Sequence, residues 1–271
     1  MKSVQRMIQT YDEFIGLLNK AGFVTLGGSG PVLGLNRVTP PENWHTGLAD
    51  TDPWEWKRLL CEKRDGTYTR ARGHLAFFIS WDWLPSFIAA YTPELPAQER
   101  YEMGLVSRDQ MAMRALFMER PVWARHEIRS QMPDLKKSAL ERGLNALMAD
   151  MEIVISGEAQ KLSWDGRPVG WPSCAYERME NWAGARIFEQ AMQRNPVEER
   201  QKIREQAAKF AIPGSEDALD KLFGAALPAS ASNFTNGPVC GILNKPTRAD
   251  GPTLPMVCAQ RAGRFEMERC V

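Results

Sequence analysis

The chain contains no Cys-x-x-Cys pair, no apolar run long enough to cross a bilayer and almost no net charge. Its five cysteines are widely spaced, which excludes a disulfide framework and a zinc signature. A membrane-spanning helix needs roughly 18 or more consecutive apolar residues, and no such run occurs. Met1 to Thr10 is charged and carries no apolar signal core. A formal net charge of +1 argues neither for nor against nucleic acid as a partner of the whole molecule. Together these absences lead to the expectation of a reduced, cytoplasmic protein with no cofactor and no membrane partner. With 271 residues, 44% hydrophobic and 25% charged, the chain has ordinary soluble composition and can bury a substantial core.

What is abundant is tryptophan. Five of the nine tryptophans fall within forty residues, in Asn43-Trp44-His45-Thr46-Gly47, Asp52-Pro53-Trp54-Glu55-Trp56 and Trp81-Asp82-Trp83. Tryptophan is large and its indole N–H commonly needs a partner. Such density beside His45, Asp50, Asp52 and Glu55 reads either as an aromatic core or as a pocket that stacks flat ligands. Asp52-Pro53-x-Glu55 is also a helix start, with Asp52 as cap, Pro53 at the first position and Glu55 at the positive end of the dipole. That helix buries Trp56, Leu59 and Leu60 on one stripe and places Trp54 and Arg58 four apart, close enough to stack.

The segment from Lys57 to Arg72 holds six basic residues, Lys57, Arg58, Lys63, Arg64, Arg70 and Arg72, against Glu62 and Asp65. With Tyr68, His74 and Phe77 interspersed, it is compatible with nucleic acid and equally with a solvated face. Gly27-Gly28-Ser29-Gly30 invites a phosphate-loop reading, but Pro31 follows and no helix opens, so a plain loop is the better reading.

Further along, Tyr11–Ala21 reads as a helix ended by Gly22, Phe23 to Leu26 as a short strand and Trp83 to Tyr91 as a helix. Ser107 caps a helix carrying Ala112, Met113, Leu116 and Phe117. A turn at Glu119-Arg120-Pro121 leads to a second helix through Ile128, and a third carries Leu140, Leu144, Leu147 and Met148. Met151 to Ser156 then reads as a strand, and Ala159 to Trp164 pairs with Arg167 to Trp171 about the turn Asp165-Gly166. Three helices and a hairpin form the winged-helix pattern, over residues 106–182. The fold class is therefore mainly α with small β-hairpins (α+β), with room for more than one winged-helix-like unit. Residues 1–105 form an N-terminal Trp-rich segment, 183–226 a helical extension and 227–271 an irregular tail. A winged helix meets DNA through its third helix, whose outward residues here include Lys136, Lys137, Ser138, Glu141, Arg142 and Asn145. From Val106 to Pro172 ten basic residues stand against nine acidic ones, which leaves DNA contact and protein docking both open.

With those features placed, the sequence resembles the AlkZ-related bacterial family. The resemblance rests on Trp44-His45-Thr46-Gly47, Asp52-Pro53-Trp54-Glu55-Trp56, Phe78-Ile79-Ser80-Trp81 and Gly170-Trp171-Pro172-Ser173. It implies kinship with AlkZ-type DNA glycosylases, winged-helix enzymes that hydrolyse the N-glycosidic bond of alkylated purines and open interstrand crosslinks. Their signature is Gln-hydrophobic-Gln or Gln-x-Asp. None of the eleven glutamines here has Gln or Asp two residues later, so no catalytic residue carries over.

Two readings follow. The first is a DNA-binding winged-helix protein on a glycosylase-like scaffold, with DNA or a protein as partner and Lys136, Lys137 and Arg142 on the contact face. The alternative is an active glycosylase. In it Asp50, Asp52 and Glu55 supply carboxylates, His45 orients water, and Trp44, Trp54 and Trp81 sandwich an extruded base.

Overall fold

A computed structural model describes residues 7–28, 30–72 and 75–224. The expectations for His74, for the irregular tail and for Cys240, Cys258 and Cys270 lie outside the described residues.

The first two α-helices each begin where a side chain accepts from a free amide. The Thr10 hydroxyl accepts from the Glu13 amide to start α1 (Tyr11–Ala21), and Asp52 starts α2 (Pro53–Lys63). The helix α3 (Leu84–Tyr91) takes Pro85 in its first turn, and every one of its residues is buried. A helix apolar on all sides belongs in the centre of a fold. There α3 packs against α9 (Ala185–Met192) and α10 (Pro196–Ala208). Inside that packing the Ser86 hydroxyl accepts from Arg194 at 2.8 Å, and Arg194 also reaches the buried Glu199 at 3.3 Å.

Six strands form one antiparallel sheet. They are β1 (Phe23–Thr25), β2 (Thr67–Thr69), β3 (Phe77–Ile79), β4 (Val122–Ala124), β5 (Ile153–Ala159) and β6 (Ser173–Arg178), in the order β1-β3-β2-β5-β6-β4. The first three are three residues long and buried throughout. Phe14 on α1 ties them to α2: its ring stacks on Trp56 at 5.2 Å and meets Phe78 edge-on at 5.1 Å. Trp56 is fully buried, as its helical stripe predicts, while Leu59 is only partly so and Cys61 takes its place.

The sheet crosses from the Trp-rich segment into the later one where Tyr68 of β2 sits opposite Ile155 of β5. That later segment runs α5 (Arg108–Glu119), β4, α6 (Arg125–Gln131), α7 (Lys137–Ala149), β5, β6, with β4 pairing along the outer side of β6. Ser107 caps α5 by accepting from the Gln110 amide, as expected. The hairpin differs from expectation in its extent. The turn stands at Asp165-Gly166, and Gly166 takes φ +80 there, but the arms around it are joined by the single Leu162–Pro168 bridge and by scattered backbone and side-chain hydrogen bonds. The paired strands are β5 and β6, and β6 lies beyond the segment expected to close the hairpin. Its Ser-Cys-Ala-Tyr-Glu-Arg sequence alternates weakly because most of its residues are only half-buried. The arrangement as a whole is the expected α+β class.

After α8 (Met179–Ala183), α9 and α10, the helix α11 (Glu216–Phe223) returns to the first sheet edge, where Phe223 meets Phe23 and Phe77. Among the described residues no helix is long and apolar enough to cross a membrane.

One close approach makes a test. Gly22 ends α1 at φ +85, and a Cβ there would lie 2.4 Å from the Trp83 indole nitrogen. Gly22→Ala therefore strains the backbone and displaces a packed ring, and should cost about 2 kcal/mol or more in urea unfolding. Gly16→Ala, with nothing within 4 Å of the added carbon, should not destabilise.

Candidate functional site

The tryptophan motifs turn out to hold a loop in place. Asp52 is fully buried. Its Oδ1 accepts from the amides of His45 at 3.0 Å and Trp54 at 2.9 Å, and its Oδ2 accepts from Gly47 at 2.9 Å. To turn those amides inward the loop takes left-handed backbone at His45, φ 63, and Gly47, φ 74. Trp44 is half-buried and donates its indole N–H to the Thr39 hydroxyl at 2.9 Å. The Trp56 indole donates to the Asp50 carbonyl at 3.0 Å, which also accepts the Tyr11 amide. The Asp50 side chain itself is exposed.

The rings of His45 and Trp54 remain outside this lock. They sit 5.0 Å apart, centroid to centroid, and Trp54 is 40% exposed. The cation over Trp54 is Lys57, at 3.8 Å, and not Arg58 as expected. Arg58 is held along its own helix by Glu55 at 3.1 Å and Glu62 at 2.8 Å. Trp81 is not brought to this group. It stacks on Trp182 at 6.3 Å and donates to the Arg64 carbonyl. Arg64 lies 4.3 Å over the Trp182 ring and donates to the Trp182 carbonyl at 2.8 Å, so it staples α8 to the end of α2.

The basic run is therefore divided. Lys63 lies over the Tyr11 ring, and Arg72 turns away to the Leu222 carbonyl. Lys57, Arg58 and Arg70 instead line a cleft of ≈ 170 Å³ between α2, α7 and the sheet. Trp54 stands at one wall, with Tyr68 and Tyr176 at another, and α6 contributes Arg125. Two acids face these four cations. Glu158 lies 3.9 Å from Lys57, and Glu141 pairs with Arg125. Arg70 is half-buried and, among the described residues, has no hydrogen-bond or ion-pair partner. A bulge between Ile155 and Gly157 bends β5 where Gly157 borders the cleft.

Three of the cleft's groups, Tyr68, Tyr176 and Cys61, hold their protons. Burial pushes the Tyr68 hydroxyl up to about 12 against the pull of Arg70, and pushes Tyr176 up further. Burial likewise pushes the Cys61 thiol up to about 12, and Cys61 donates to the Ile155 carbonyl. A thiol held in that form is a poor nucleophile. Among the described residues no three His, Cys, Asp or Glu side chains are grouped to hold a metal ion.

On α7, Lys136, Lys137, Ser138 and Arg142 are exposed as expected, while Glu141 and Asn145 turn into the cleft. The segment joining β5 to β6 exposes Trp164 by 99% and Trp171 by 93%. Arg125, Cys174 and Tyr176 were missed from sequence. They lie far along the chain from the tryptophan motifs and reach the cleft only through the pairing of β5 with β2 and β6.

These features define an α+β protein with a cationic, aromatic-walled cleft. The chain matches the family described as AlkZ related over residues 8–224 and belongs to that family. Among solved structures, Streptomyces sahachiroi DNA glycosylase AlkZ is similar at 12% identity and a TM-score of 0.39. The likeness covers 82% of this chain and 60% of that chain, so this chain spans less than two thirds of that protein. No curated protein matches the chain.

Asp52 gives a pH-dependent test. Burial raises its pKa, but the amides of Gly47, Trp54 and His45 outweigh burial and hold it below the ordinary 3.8. A depressed folded-state pKa adds stability that is complete above the unfolded value and lost as pH falls through the folded one. Asp52→Ala should cost about 2 kcal/mol at pH 7. The gap to wild type should narrow in urea titrations below pH 3.8.

Proposed function

We propose that this protein binds DNA through a winged-helix unit at residues 106–182, on a glycosylase-like scaffold without the glutamine signature. The cleft beneath α2 and α7 is its contact with the nucleic acid. The observation that carries this reading is Arg70, a cation without an ion-pair partner among the described residues, which acts on both the Tyr68 and Tyr176 hydroxyls in a cleft with more cations than acids. An unpaired guanidinium beside two protonated hydroxyls offers several donors, which suits phosphate oxygens. Trp54, exposed and overlaid by Lys57, supplies a stacking face at the rim.

The element order α5-β4-α6-α7-β5-β6 supports the winged-helix reading, with β4 beside β6 and α7 as the third helix. On α7, Lys137 precedes Glu141 by one turn, so the exposed lysine face and the cleft lie along one side of the helix. The segment joining β5 to β6 carries Lys161 and Arg167 beside its two exposed tryptophans. The resemblance to glycosylases agrees with nucleic acid as the ligand. The catalytic role for His45, Asp50, Asp52 and Glu55 draws less support, because both Asp52 oxygens are occupied and Glu55 pairs with Arg58.

The measurement is fluorescence anisotropy of labelled duplex DNA over a range of salt. Wild type should bind at low salt and weaken steadily as salt rises. Arg70→Ala should weaken binding about tenfold and reduce the salt slope by about one. Lys137→Ala should act in the same direction, and Lys209→Ala on α10 should not. Binding that is absent at low salt, or indifferent to Arg70 and Lys137 in variants that melt like wild type, would falsify this reading.

A further inference from the structure

A second cavity, of ≈ 420 Å³, opens between the end of α3, the chain leading through α4 (Ala97–Glu102) and the first turn of α10. Three arginines border it, Arg72, Arg100 and Arg200. Tyr91 is the last residue of α3 and only 9% exposed. Its hydroxyl is buried without a hydrogen-bond partner, and so is that of Thr92 beside it, which also lines the cavity. Native proteins leave few buried polar groups unpaired, since each costs about 1–3 kcal/mol. Two adjacent ones in a cavity wall edged by three guanidinium groups are accounted for by a ligand that accepts hydrogen bonds.

The arginines are anchored in advance. Arg72 donates Nε to the Leu222 carbonyl at 3.1 Å and holds its guanidinium 4.9 Å over the Tyr91 ring. Arg200 donates Nε to the Pro196 carbonyl at 3.2 Å, and Arg100 spends one nitrogen on Asp150 at 2.6 Å. The remaining N–H groups are free to form further bonds, and guanidinium forks match the spacing of phosphate oxygens. Arg72 and Arg200 both act on the Tyr91 hydroxyl, pulling against the burial that pushes it up to about 12. At neutral pH that hydroxyl is a proton donor. Among the described residues Glu94 is the only carboxylate lining the cavity, and it is exposed. The positive end of α10 adds to the same field.

We infer that this cavity is a phosphoryl-binding site, in which Tyr91 and Thr92 donate to the phosphate oxygens and Arg72 and Arg200 balance their charge. The site is separate from the DNA cleft and does not rest on that reading. The shared chemistry admits two sources, a phosphate of a nucleic-acid backbone or a phosphate on a small molecule.

The experiment titrates the full chain with inorganic phosphate and with pyrophosphate. It is read by calorimetry and by melting temperature, against chloride at equal ionic strength. Wild type should show saturable binding and a rise in melting temperature. Arg72→Ala and Arg200→Ala should each weaken it about tenfold or more. Tyr91→Phe separates binding from folding. Without phosphate it should melt at or above wild type, because it removes an unpaired hydroxyl, and it should lose most of the phosphate-dependent rise. A fall in duplex affinity in Arg72→Ala together with Arg200→Ala assigns the phosphate to nucleic acid, and unchanged duplex affinity assigns it to a small molecule. No saturable effect over chloride, or a phosphate effect in Tyr91→Phe and the arginine variants equal to that in wild type, overturns the proposal.

Discussion

The buried carboxylate of Asp52 is the point on which the N-terminal half depends. Taking a charge out of water is costly unless hydrogen bonds replace its hydration. Here amides from both sides of the carboxylate do so, His45 and Gly47 from the loop and Trp54 from the helix. The net gain from such a group is modest, but removing it leaves several inward-facing amides without an acceptor. The loop it gathers brings Trp44 against the Thr39 hydroxyl and the Asp50 carbonyl over the Trp56 indole. Helix α2 thus has a fixed start and direction. That direction carries Trp54, Lys57, Arg58 and Cys61 to the cleft.

The second constraint is the continuity of the sheet. A three-residue strand, β2, joins β3 on one side to β5 on the other, and Tyr68 is the residue that makes the second contact. Its ring stacks on Phe78 at 5.0 Å, inside the first core, while the residue also lines the cleft. The cleft therefore lies along the seam between the two segments. The bulge after Ile155 interrupts the pairing of β5 with β6, and Gly157 within it lines the cleft.

Local signals were legible in the sequence, and long-range pairings were not. Asp52-Pro53 announced a capped helix because capping is a contact between residues two or three apart. Gly22, Ser107 and the stripe of Leu140, Leu144, Leu147 and Met148 were legible for the same reason. Strand β2 was hidden inside the basic run, since Thr-Tyr-Thr is too short to show a period and is stabilised by neighbours on both edges. Arg64 and Arg72 looked like members of one basic surface. Nothing in local spacing indicates that Arg64 reaches Trp182 or that Arg72 reaches Leu222. Of the aromatic candidates Trp54 alone lines the cleft; Trp81 was drawn off by a partner a hundred residues away in the chain.

The chemistry of the cleft follows from how its groups share protons and charge. Cys61, Tyr68 and Tyr176 are driven by burial toward their neutral forms, so none is poised to take a proton near neutral pH. Its two acids already face cations, Glu158 opposite Lys57 and Glu141 against Arg125. What remains is an excess of donors: the Arg70 guanidinium and two phenolic hydroxyls without acceptors among the described residues. A site in that condition gains most from a ligand rich in acceptor oxygens and with a flat face to lay on Trp54. Such a ligand completes hydrogen bonds that the protein leaves open, and no proton need move for it to bind.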